Sequence, residues 1–382
     1  MKKVVLTSIP IQYHSYYQWL ILGLYEVEKQ QKIALHFRLP IYQHIFYFLL
    51  NDNLRKKCFR FLNKFKLLKN ESYCLKGFLK TNNKNNKQQF VYDIGDSPFA
   101  FSKTHLKTVN TYFKAQCPIT ISEKGFRLTD EVYIPYTPDV LLHQNKIKPA
   151  MLGPRRLAWS IKYAALKNSY NNYIAQQNTN KTGNLMCYFG GAKGPTIKEV
   201  QIANNNFDGE DIIMYKFGNL LHHPNEKRYQ LFRIIKKMGS TCDARVINKT
   251  GVQDEPFFLA TDALIPLKDF TSHVANFKYN ANVSGFRLSI PNRFIESFMV
   301  GTAIVTDALA VKWYTNFEAE VVQLPEMGYL LTAQVNWPLI EEKVNALPAI
   351  DANTVLQQYQ KNWAPAAFAA YIVNELSSAS NK

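Results

Sequence analysis

Short apolar runs alternate along this chain with segments of helical period, and this alternation limits the fold more than any other feature. Six runs have the length and composition of buried strands, at residues 4–9, 90–94, 185–189, 211–217, 244–248 and 302–306. Between them lie segments whose apolar side chains recur at helical spacing, such as 154–174. Strands that alternate with helices are typical of α/β proteins with largely parallel sheets.

The length favours two domains. A chain of 382 residues is long for one domain of average size. The polar tract 176–184 separates a predicted helix from a fresh strand. We therefore predict a first domain at 1–178, a second at 179–360 and a C-terminal helix in 361–382. Two Rossmann-like α/β domains that face a cleft are the expected architecture.

Two tracts outside the strands are also informative. The Lys- and Asn-rich tract 80–89 has nothing to bury and predicts a solvated loop or a hairpin tip. The last fifty residues show no strand pattern and predict two or three helices, with Asp351 as an N-cap.

Composition restricts the partners and the compartment. With 47% hydrophobic residues the chain can bury a core, and 46 Lys and Arg against 29 Asp and Glu give a net charge of +17. This charge predicts an anionic partner such as phosphate esters, nucleic acid or an acidic membrane face. Five cysteines without a CxxC pair indicate neither a disulfide framework nor a zinc cluster, and they fit a reducing compartment. No run reaches the roughly 18 apolar residues that span a bilayer.

The segment 284–307 holds the densest set of local signals. A loop with Gly285 leads to a predicted helix that starts at Pro291 and ends at Gly301, and a strand follows at once. The start of such a helix stabilises a phosphate, and Arg293 in its first turn can add a bidentate contact. Glu296 is placed to accept hydrogen bonds from sugar hydroxyls. The alternative is an ordinary surface ion pair between Arg293 and Glu296.

The run Arg293-x-x-Glu296-Ser-x-x-x-Gly301-x-x-x-Val305 resembles the donor signature of GT-B glycosyltransferases. The layout of the segment is similar to that of exostosin-like and bacterial surface-polysaccharide transferases, which build capsule, O-antigen or lipopolysaccharide. The resemblance implies a GT-B-like fold whose C-terminal helices cross back to the first domain. It also implies that Glu296 binds the ribose or the donor sugar, that Arg293 faces the pyrophosphate, and that Ser289 and Asn292 belong to the same donor site.

A second match lies where the predicted strand 185–189 ends. Gly190 and Gly191 follow it, and Lys193 comes two residues later. Glycines at this point let the backbone approach a phosphate, and the lysine adds charge. By the same resemblance this loop lies against the donor diphosphate. The spacing matches neither a P-loop nor the GxGxxG fingerprint. A glycine-rich turn without a ligand is the alternative.

Three residues of the first half are candidates for the catalytic base. Asp93 and Asp96 follow a strand, at the sheet edge where α/β folds bind ligands, and either can deprotonate an acceptor hydroxyl. Their alternative role is to cap the next turn. His14 follows the first strand among aromatic residues, and its alternative is a packed side chain. His222 and His223 lack a third ligand at metal spacing, so a loop role is expected for them.

The segment 54–69 carries seven basic residues and no acidic one, with apolar side chains at helical spacing. Such a helix can lie on an anionic membrane. Alternatively it packs on the core and keeps its basic face in water. Nucleic-acid binding is the weaker prediction, because no RRM, KH, zinc-finger or helix-turn-helix pattern occurs.

These observations predict a glycosyltransferase that moves a sugar from a nucleotide sugar to a hydroxyl of a surface glycan or lipid-linked acceptor. No cofactor and no metal are expected, because the chain has no Asp-x-Asp triplet. The expected location is cytoplasmic or peripheral on the inner face of the cytoplasmic membrane. The alternative is a catalytically inactive sugar-binding protein, or a basic protein of α/β fold that binds nucleic acid or membranes.

Overall fold

The computed structural model describes residues 1–68, 73–81, 87–127, 133–155, 157–191, 200–203, 212–215, 222–248, 255–284, 289–325, 327 and 335–379. Its α-helices are α1 His14–Lys29, α2 Ile41–His44, α3 Asp52–Lys64, α4 Lys103–Thr108, α5 Pro138–Leu142, α6 Tyr163–Ile174, α7 His222–Lys237, α8 Glu255–Phe258, α9 Leu267–Val274, α10 Arg293–Phe298, α11 Trp337–Asn345, α12 Ala352–Gln358 and α13 Pro365–Ala379. Turns of π-helix lie at Ile45–Leu49 and Tyr359–Trp363, and a 3₁₀ turn lies at Gln144–Lys146.

The strands form two main sheets and three short ribbons. They are β1 Lys2–Ser8, β2 Ile33–Phe37, β3 Cys74–Lys80, β4 Lys87–Asp93, β5 Thr111–Lys114, β6 Cys117–Pro118, β7 Phe126–Arg127, β8 Tyr133–Ile134, β9 Ile147–Pro149, β10 Gly183–Gly190, β11 Val200–Ala203, β12 Ile212–Tyr215, β13 Cys242–Ile247, β14 Phe277–Asn282, β15 Ala303–Thr306, β16 Val311–Lys312 and β17 Val321–Gln323. Each of the six predicted strands coincides with one of these, apart from its end residues.

The first sheet is mixed, which departs from the largely parallel sheet that the sequence predicted. Its order is β2-β1-β3-β4-β5-β9. Strand β3 runs antiparallel to both β1 and β4, and the other pairs are parallel. The reason is the hairpin that joins β3 to β4, since a short connection can only link antiparallel strands. Lys80 pairs with Lys87 at its end, so the described ends of the predicted tract 80–89 belong to the two arms of this hairpin. The predicted tip at 82–86 lies outside the described residues.

The second sheet is parallel throughout, with the order β13-β10-β14-β15-β17. All its strands therefore end at the same edge, where α/β sheets bind their ligands. Three of its strands, β10, β13 and β15, were predicted from the sequence, and Ala303–Thr306 has four buried residues. Strands buried on both faces read as continuous apolar runs. The sequence analysis missed β14, whose FKYNAN sequence alternates with polar residues, and the three-residue strand β17.

The C-terminal helix α13 returns to the first sheet, as the predicted fold requires. It packs against α1, β3 and β4. Gly23 in α1 makes this approach possible, because a Cβ there would lie 2.0 Å from the carbonyl oxygen of Pro365. The indole of Trp19 donates a hydrogen bond of 3.0 Å to the carbonyl of Trp363. The fold is thus α/β, with two Rossmann-like halves and C-terminal helices that cross back to the first.

A short backbone ribbon and the side chain of Gln116 join the two halves. The ribbon of β6 and β16 pairs Cys117 and Pro118 with Lys312 and Val311. Beside it, the amide side chain of Gln116 accepts from the backbone N–H of Ile290 and donates to the carbonyl of the same residue, at 2.9 Å each. These bonds fix the loop before α10 relative to the first sheet.

The predicted helix over 154–174 begins nine residues late, at Tyr163. The preceding segment is held in an irregular path by Gln18 of α1. The Oε1 atom of Gln18 accepts hydrogen bonds from the backbone N–H groups of Leu157 and Ala158, at 2.8 and 3.3 Å. Because these N–H groups donate to a side chain of another helix, they do not form the hydrogen bonds of a local helix. The tertiary contact outweighs the helical pattern of the sequence. Gly153 and Arg155 of this segment instead contact α10 and the residue before it, through the carbonyl of Gly153 and the backbone N–H of Arg155.

Within the described part of the chain, no helix combines the length and the hydrophobicity that crossing a bilayer requires.

Candidate functional site

Three arginines from different elements meet at the carboxyl edge of the second sheet. Arg228 belongs to α7, Arg293 opens α10, and Arg155 lies in the segment after β9. The guanidinium of Arg228 donates a hydrogen bond of 2.9 Å to the carbonyl of Gly190, the last residue of β10. The side chain of Arg155 lies over the ring of Phe270, 5.9 Å from its centre. The cluster therefore sits where β10, an interior strand of the parallel sheet, ends.

The charges in this cluster oppose one another. Burial, with smaller contributions from the positive charges of Arg228 and Arg155, lowers the pKa of Arg293 to about 10, although Glu296 acts to raise it. Burial also lowers the pKa of Arg228, against the opposing effect of Asp307. Arg228 and Arg293 are thus buried cations, while Arg155 is half-exposed and its Nε atom lies 4.0 Å from Oε1 of Glu296. The cluster has three cations against the two carboxylates of Glu296 and Asp307. An anionic ligand would relieve this imbalance.

Two polar atoms of the cluster are left over. The Nε atom of Arg293 and the Oε2 atom of Glu296 are inaccessible to water, and neither has a hydrogen-bond partner among the described residues. The other oxygen of Glu296 accepts from the backbone N–H of Arg155 at 3.1 Å. Most buried polar atoms in proteins are hydrogen-bonded, so a leftover donor beside a leftover acceptor indicates a site that awaits a ligand.

The short helix α10 places both residues. Its apolar side chains Phe294, Ile295 and Phe298 are buried in the core. Asn292 precedes the helix, and its side chain donates to the carbonyl of Gly153. This bond ties the start of α10 to the segment that carries Arg155. The helix has six residues rather than the eleven expected for 291–301, so the positive potential comes from guanidinium groups and not from a helix terminus.

The edge of the sheet continues through β14 and β15. Asp307, directly after β15, is buried and accepts from the backbone N–H and the hydroxyl of Ser284, at 2.8 and 2.5 Å. Because Asp307 is held by Ser284, it is a fixed negative charge beside Arg228. No sequence motif assigned a role to Asp307 or Arg228. Each becomes part of the site only through the order of the strands.

Tyr16 on α1 is a further residue of the first half that the charges of the cluster influence. Partial burial raises the pKa of Tyr16, with smaller contributions from the charges of Asp96 and Glu296, while Arg155 acts to lower it. Asp96 itself is exposed. The charges of two predicted carboxylates, one from each half, thus both act on the Tyr16 phenol.

Asp93 has a different environment. It is fully buried, and its carboxylate accepts from the hydroxyl of Tyr112 at 2.6 Å, the ammonium of Lys114 at 2.8 Å and the backbone N–H of Gly95 at 2.7 Å. The bond to Gly95 is the turn-forming role that was the alternative for this residue. Its burial and its three donors speak against Asp93 as the base that meets an acceptor.

His14 is also buried. Its Nδ1 atom lies 3.0 Å from the carbonyl oxygen of Ile11. Its ring packs among Phe46, Phe59 and Trp159, with centroid distances of 6.2, 5.7 and 5.3 Å. This is the packed environment that stood as the alternative to a catalytic role.

Some of the remaining predicted donor residues lie within the described part of the chain. Gly190 ends β10, and Gly191 donates its backbone N–H to the carbonyl of Ile247 at 3.2 Å. Ser289 is half-buried and precedes the residue held by Gln116. Lys193 lies outside the described residues. His222 and His223 begin helix α7 rather than lying in a loop.

No group of three His, Cys, Asp or Glu side chains that could hold a metal ion occurs within the ranges described above.

No protein-family model and no curated protein matches the sequence. Among solved structures, the GtfA/B complex matches 71% of this chain at 10% identity and a TM-score of 0.38, and the chain spans about half, 53%, of that chain's length. The lipopolysaccharide-biosynthesis glycosyltransferase WaaG matches over 99% of this chain and 96% of its own, at 10% identity and a TM-score of 0.31. WaaG belongs to the enzyme class that the sequence resemblance indicates. Both TM-scores lie below 0.5, so the function proposed below rests on the residues of the site.

Proposed function

We propose that this chain is a glycosyltransferase that moves a sugar from a nucleotide sugar to a hydroxyl of a surface glycan or a lipid-linked acceptor. The observation that carries this proposal is the cluster of Arg155, Arg228 and Arg293 around Glu296. A nucleotide sugar presents a diphosphate, which guanidinium groups bind through charge-assisted hydrogen bonds.

The cluster suits the chemistry of glycosyl transfer as well as binding. When the bond between the sugar and the diphosphate breaks, negative charge develops on the departing phosphate oxygens. Fixed arginines at that position stabilise the transition state more than the ground state, which is the condition for catalysis. In this proposal they take the place of a metal ion.

Glu296 and Asp96 have distinct roles in the proposed reaction. The free oxygen of Glu296 accepts hydrogen bonds from the ribose or the donor sugar beside the diphosphate. Asp96, which is exposed and whose charge acts on Tyr16, deprotonates the acceptor hydroxyl as general base. Asp93 and His14 are too deeply buried to meet an acceptor, so the proposal assigns them no chemical step.

The test measures the melting temperature of the wild type with UDP, GDP, CMP and dTDP, with and without Mg²⁺. A ligand at 100 times its dissociation constant stabilises the native state by about 2.7 kcal/mol, which is readily seen as a shift. We expect one nucleoside diphosphate to stabilise the protein without metal. Arg293→Ala should weaken its binding by about 10- to 100-fold, since hydrogen bonds to charged groups contribute about 1.5–3 kcal/mol.

Arg233→Ala is the matched control, because Arg233 is exposed on α7 and lies outside the cluster. It should leave the nucleotide shift unchanged. The proposal fails if no nucleotide stabilises the wild type, or if Arg293→Ala and Arg233→Ala respond to the nucleotide equally.

A further inference from the structure

Exposed apolar side chains gather on one short part of the first half. Of the 14 large apolar side chains that are exposed in the described part of the chain, eight lie between residues 41 and 67. They are Ile41, Tyr42, Ile45, Leu49, Leu54, Phe61, Phe65 and Leu67. This set, carried by α2, the π-helical turn, α3 and the turn that follows α3, is called the apolar patch below. An apolar concentration of this kind marks an interaction site rather than a chance exposure.

A cavity opens within the patch. It has a volume of about 470 Å³ and is lined by apolar and aromatic side chains, among them Tyr42, Ile45, Cys58 and Leu62. Its size is in the range of pockets that hold small ligands. Few polar groups line it, so its occupant must be hydrocarbon.

Contacts on one side of α3 fix the helix in place. The apolar side chains on its other side therefore stay exposed. The buried side chain of Arg55 donates to the carbonyls of Phe46 and Tyr47, at 2.8 and 2.9 Å, and pairs with Asp52 at 2.5 Å. Phe59 faces the core and packs against His14. With this side of the helix anchored, Phe61 and Phe65 are each 56% exposed.

Positive charge borders the same surface. Lys57, Arg60, Lys64 and Lys66 are all exposed beside the apolar side chains of α3. The carboxylate of Asp52, the acidic residue in the first turn of α3, is engaged with Arg55. An apolar surface with a basic border complements an anionic lipid leaflet, in which headgroups meet the cations and acyl chains meet the apolar side chains.

We infer that the chain docks on an anionic phospholipid bilayer through the apolar patch. Phe61, Phe65 and Leu67 enter the boundary between headgroups and acyl chains, and the cavity receives the end of one acyl chain. Lys57, Arg60 and Lys64 bind the phosphates of anionic lipids. The inference goes beyond the proposed transfer reaction and does not depend on it.

Docking in this orientation has a consequence for the start of α1. Phe46 and Phe59, from the same segment, pack against His14 at the start of α1. Tyr16, two residues further along α1, is coupled to Arg155 and Glu296. The segment that carries the patch thus packs on the start of α1, two residues before Tyr16, so a bilayer at the patch places lipid headgroups next to this end of α1.

The first experiment is flotation with vesicles of phosphatidylcholine alone and of phosphatidylcholine with 30% phosphatidylglycerol. We expect the wild type to bind the anionic vesicles at least tenfold more tightly. Phe61→Ser/Phe65→Ser should reduce that binding at least tenfold. Phe258→Ser/Leu259→Ser is the matched control, because these side chains are 64% and 67% exposed but lie outside the patch. It should bind as the wild type does.

The second experiment tests charge and insertion separately. Lys57→Gln/Arg60→Gln/Lys64→Gln should reduce the preference for anionic vesicles at least tenfold. Leu67→Trp introduces a fluorophore at a residue that is 62% exposed. Its added emission should be quenched by lipids that carry bromine on their acyl chains.

Three results would overturn the inference. They are equal binding by the Phe61→Ser/Phe65→Ser and Phe258→Ser/Leu259→Ser variants, an unquenched tryptophan at residue 67, and equal affinity for neutral and anionic vesicles. A wild-type dimer that Phe61→Ser/Phe65→Ser converts to a monomer, without vesicle binding, would assign the patch to self-association instead. Nucleoside diphosphate binding by the same variants separates this inference from the proposed function, since it should be unchanged in all of them.

Discussion

Charged residues lie at the carboxyl edges of both sheets, but their hydrogen-bond partners differ between the two. In the first sheet Asp93 and Lys114 end adjacent strands, lie opposite each other in register and form an ion pair of 2.8 Å with both side chains fully buried. In the second sheet Arg293 and Glu296 lie near the end of β10, and each keeps one polar atom without a partner among the described residues. The same position in an α/β sheet thus holds a closed network in one half and an open one in the other.

This difference distinguishes charges that serve the fold from charges that serve a ligand. A buried charge is tolerated when other groups of the chain supply its counter-charge and hydrogen bonds. Asp93 has three donors from its own half. The arginine cluster has more cations than nearby carboxylates, and the pKa of Arg293 is lowered by burial and by its neighbours. We therefore expect mutations in the first network to change stability, and mutations in the second to change binding.

The largest effect is expected from Lys114→Met in the closed network. Removal of the ammonium leaves the Asp93 carboxylate buried without its counter-ion, and such a change costs about 3–5 kcal/mol. The free energy of unfolding, measured by urea titration, should fall by this amount.

The double variant Asp93→Asn/Lys114→Met serves as the control for that experiment. It removes both charges, so it should be more stable than Lys114→Met alone. If the single variant loses less than about 1 kcal/mol, the pair is not the closed network that its geometry indicates, and the comparison between the sheets breaks down.

A smaller and different effect is expected from Glu296→Gln in the open network. The side chain keeps an acceptor for the N–H of Arg155, so the fold should remain intact. The change replaces a charged acceptor by a neutral one on the ligand side. The affinity for the nucleotide sugar should fall by about tenfold, in line with the loss of a charge-assisted hydrogen bond. Isothermal titration with sugar conjugates of the nucleotide found in the thermal screen measures it.

Inorganic pyrophosphate sharpens the Glu296→Gln experiment. Its binding depends on the arginines and not on sugar hydroxyls, so it should not weaken in the variant. An equal loss for pyrophosphate and for the nucleotide sugar would show that Glu296 supports the arginines rather than the sugar.

The sequence predicted β10, β13 and β15 of the parallel sheet, because a buried parallel strand is a local apolar run. It missed β14, an interior strand of the same sheet, because polar residues interrupt its apolar run. It predicted Arg293 and Glu296 from a local pattern too, since the motif that carries them lies in one continuous segment. Arg155 and Arg228 could not be found in this way. Each lies in unremarkable sequence, and only the order of the strands and the path of segment 153–161 bring them together.

The two aspartates show the same limit within four residues. In the sequence Asp93 and Asp96 are equivalent candidates, each next to a turn. The pairing of β4 with β5 places Lys114 opposite Asp93, whereas Asp96 lies beyond the strand and is exposed. A local pattern contains no information about strand register, so it could not separate a structural carboxylate from one that faces the cleft.

The smallest effect is expected at a third kind of site, a satisfied cluster near the surface of the second sheet. Asp243 accepts from Arg245 at 2.9 Å and lies 2.7 Å from His273. Partial burial acts to raise the pKa of Asp243, but the hydrogen bonds and charges of Arg245 and His273 outweigh it and lower the pKa. A lowered carboxyl pKa contributes stability that is present above the unfolded pKa of about 4 and is lost as the pH falls through the folded value.

Asp243→Asn should lower the free energy of unfolding by less than about 1 kcal/mol at pH 7, as is usual for solvent-accessible pairs. In urea titrations at a series of pH values, the difference from the wild type should shrink below pH 4. A loss at neutral pH as large as that of Lys114→Met would contradict the distinction between buried and accessible networks.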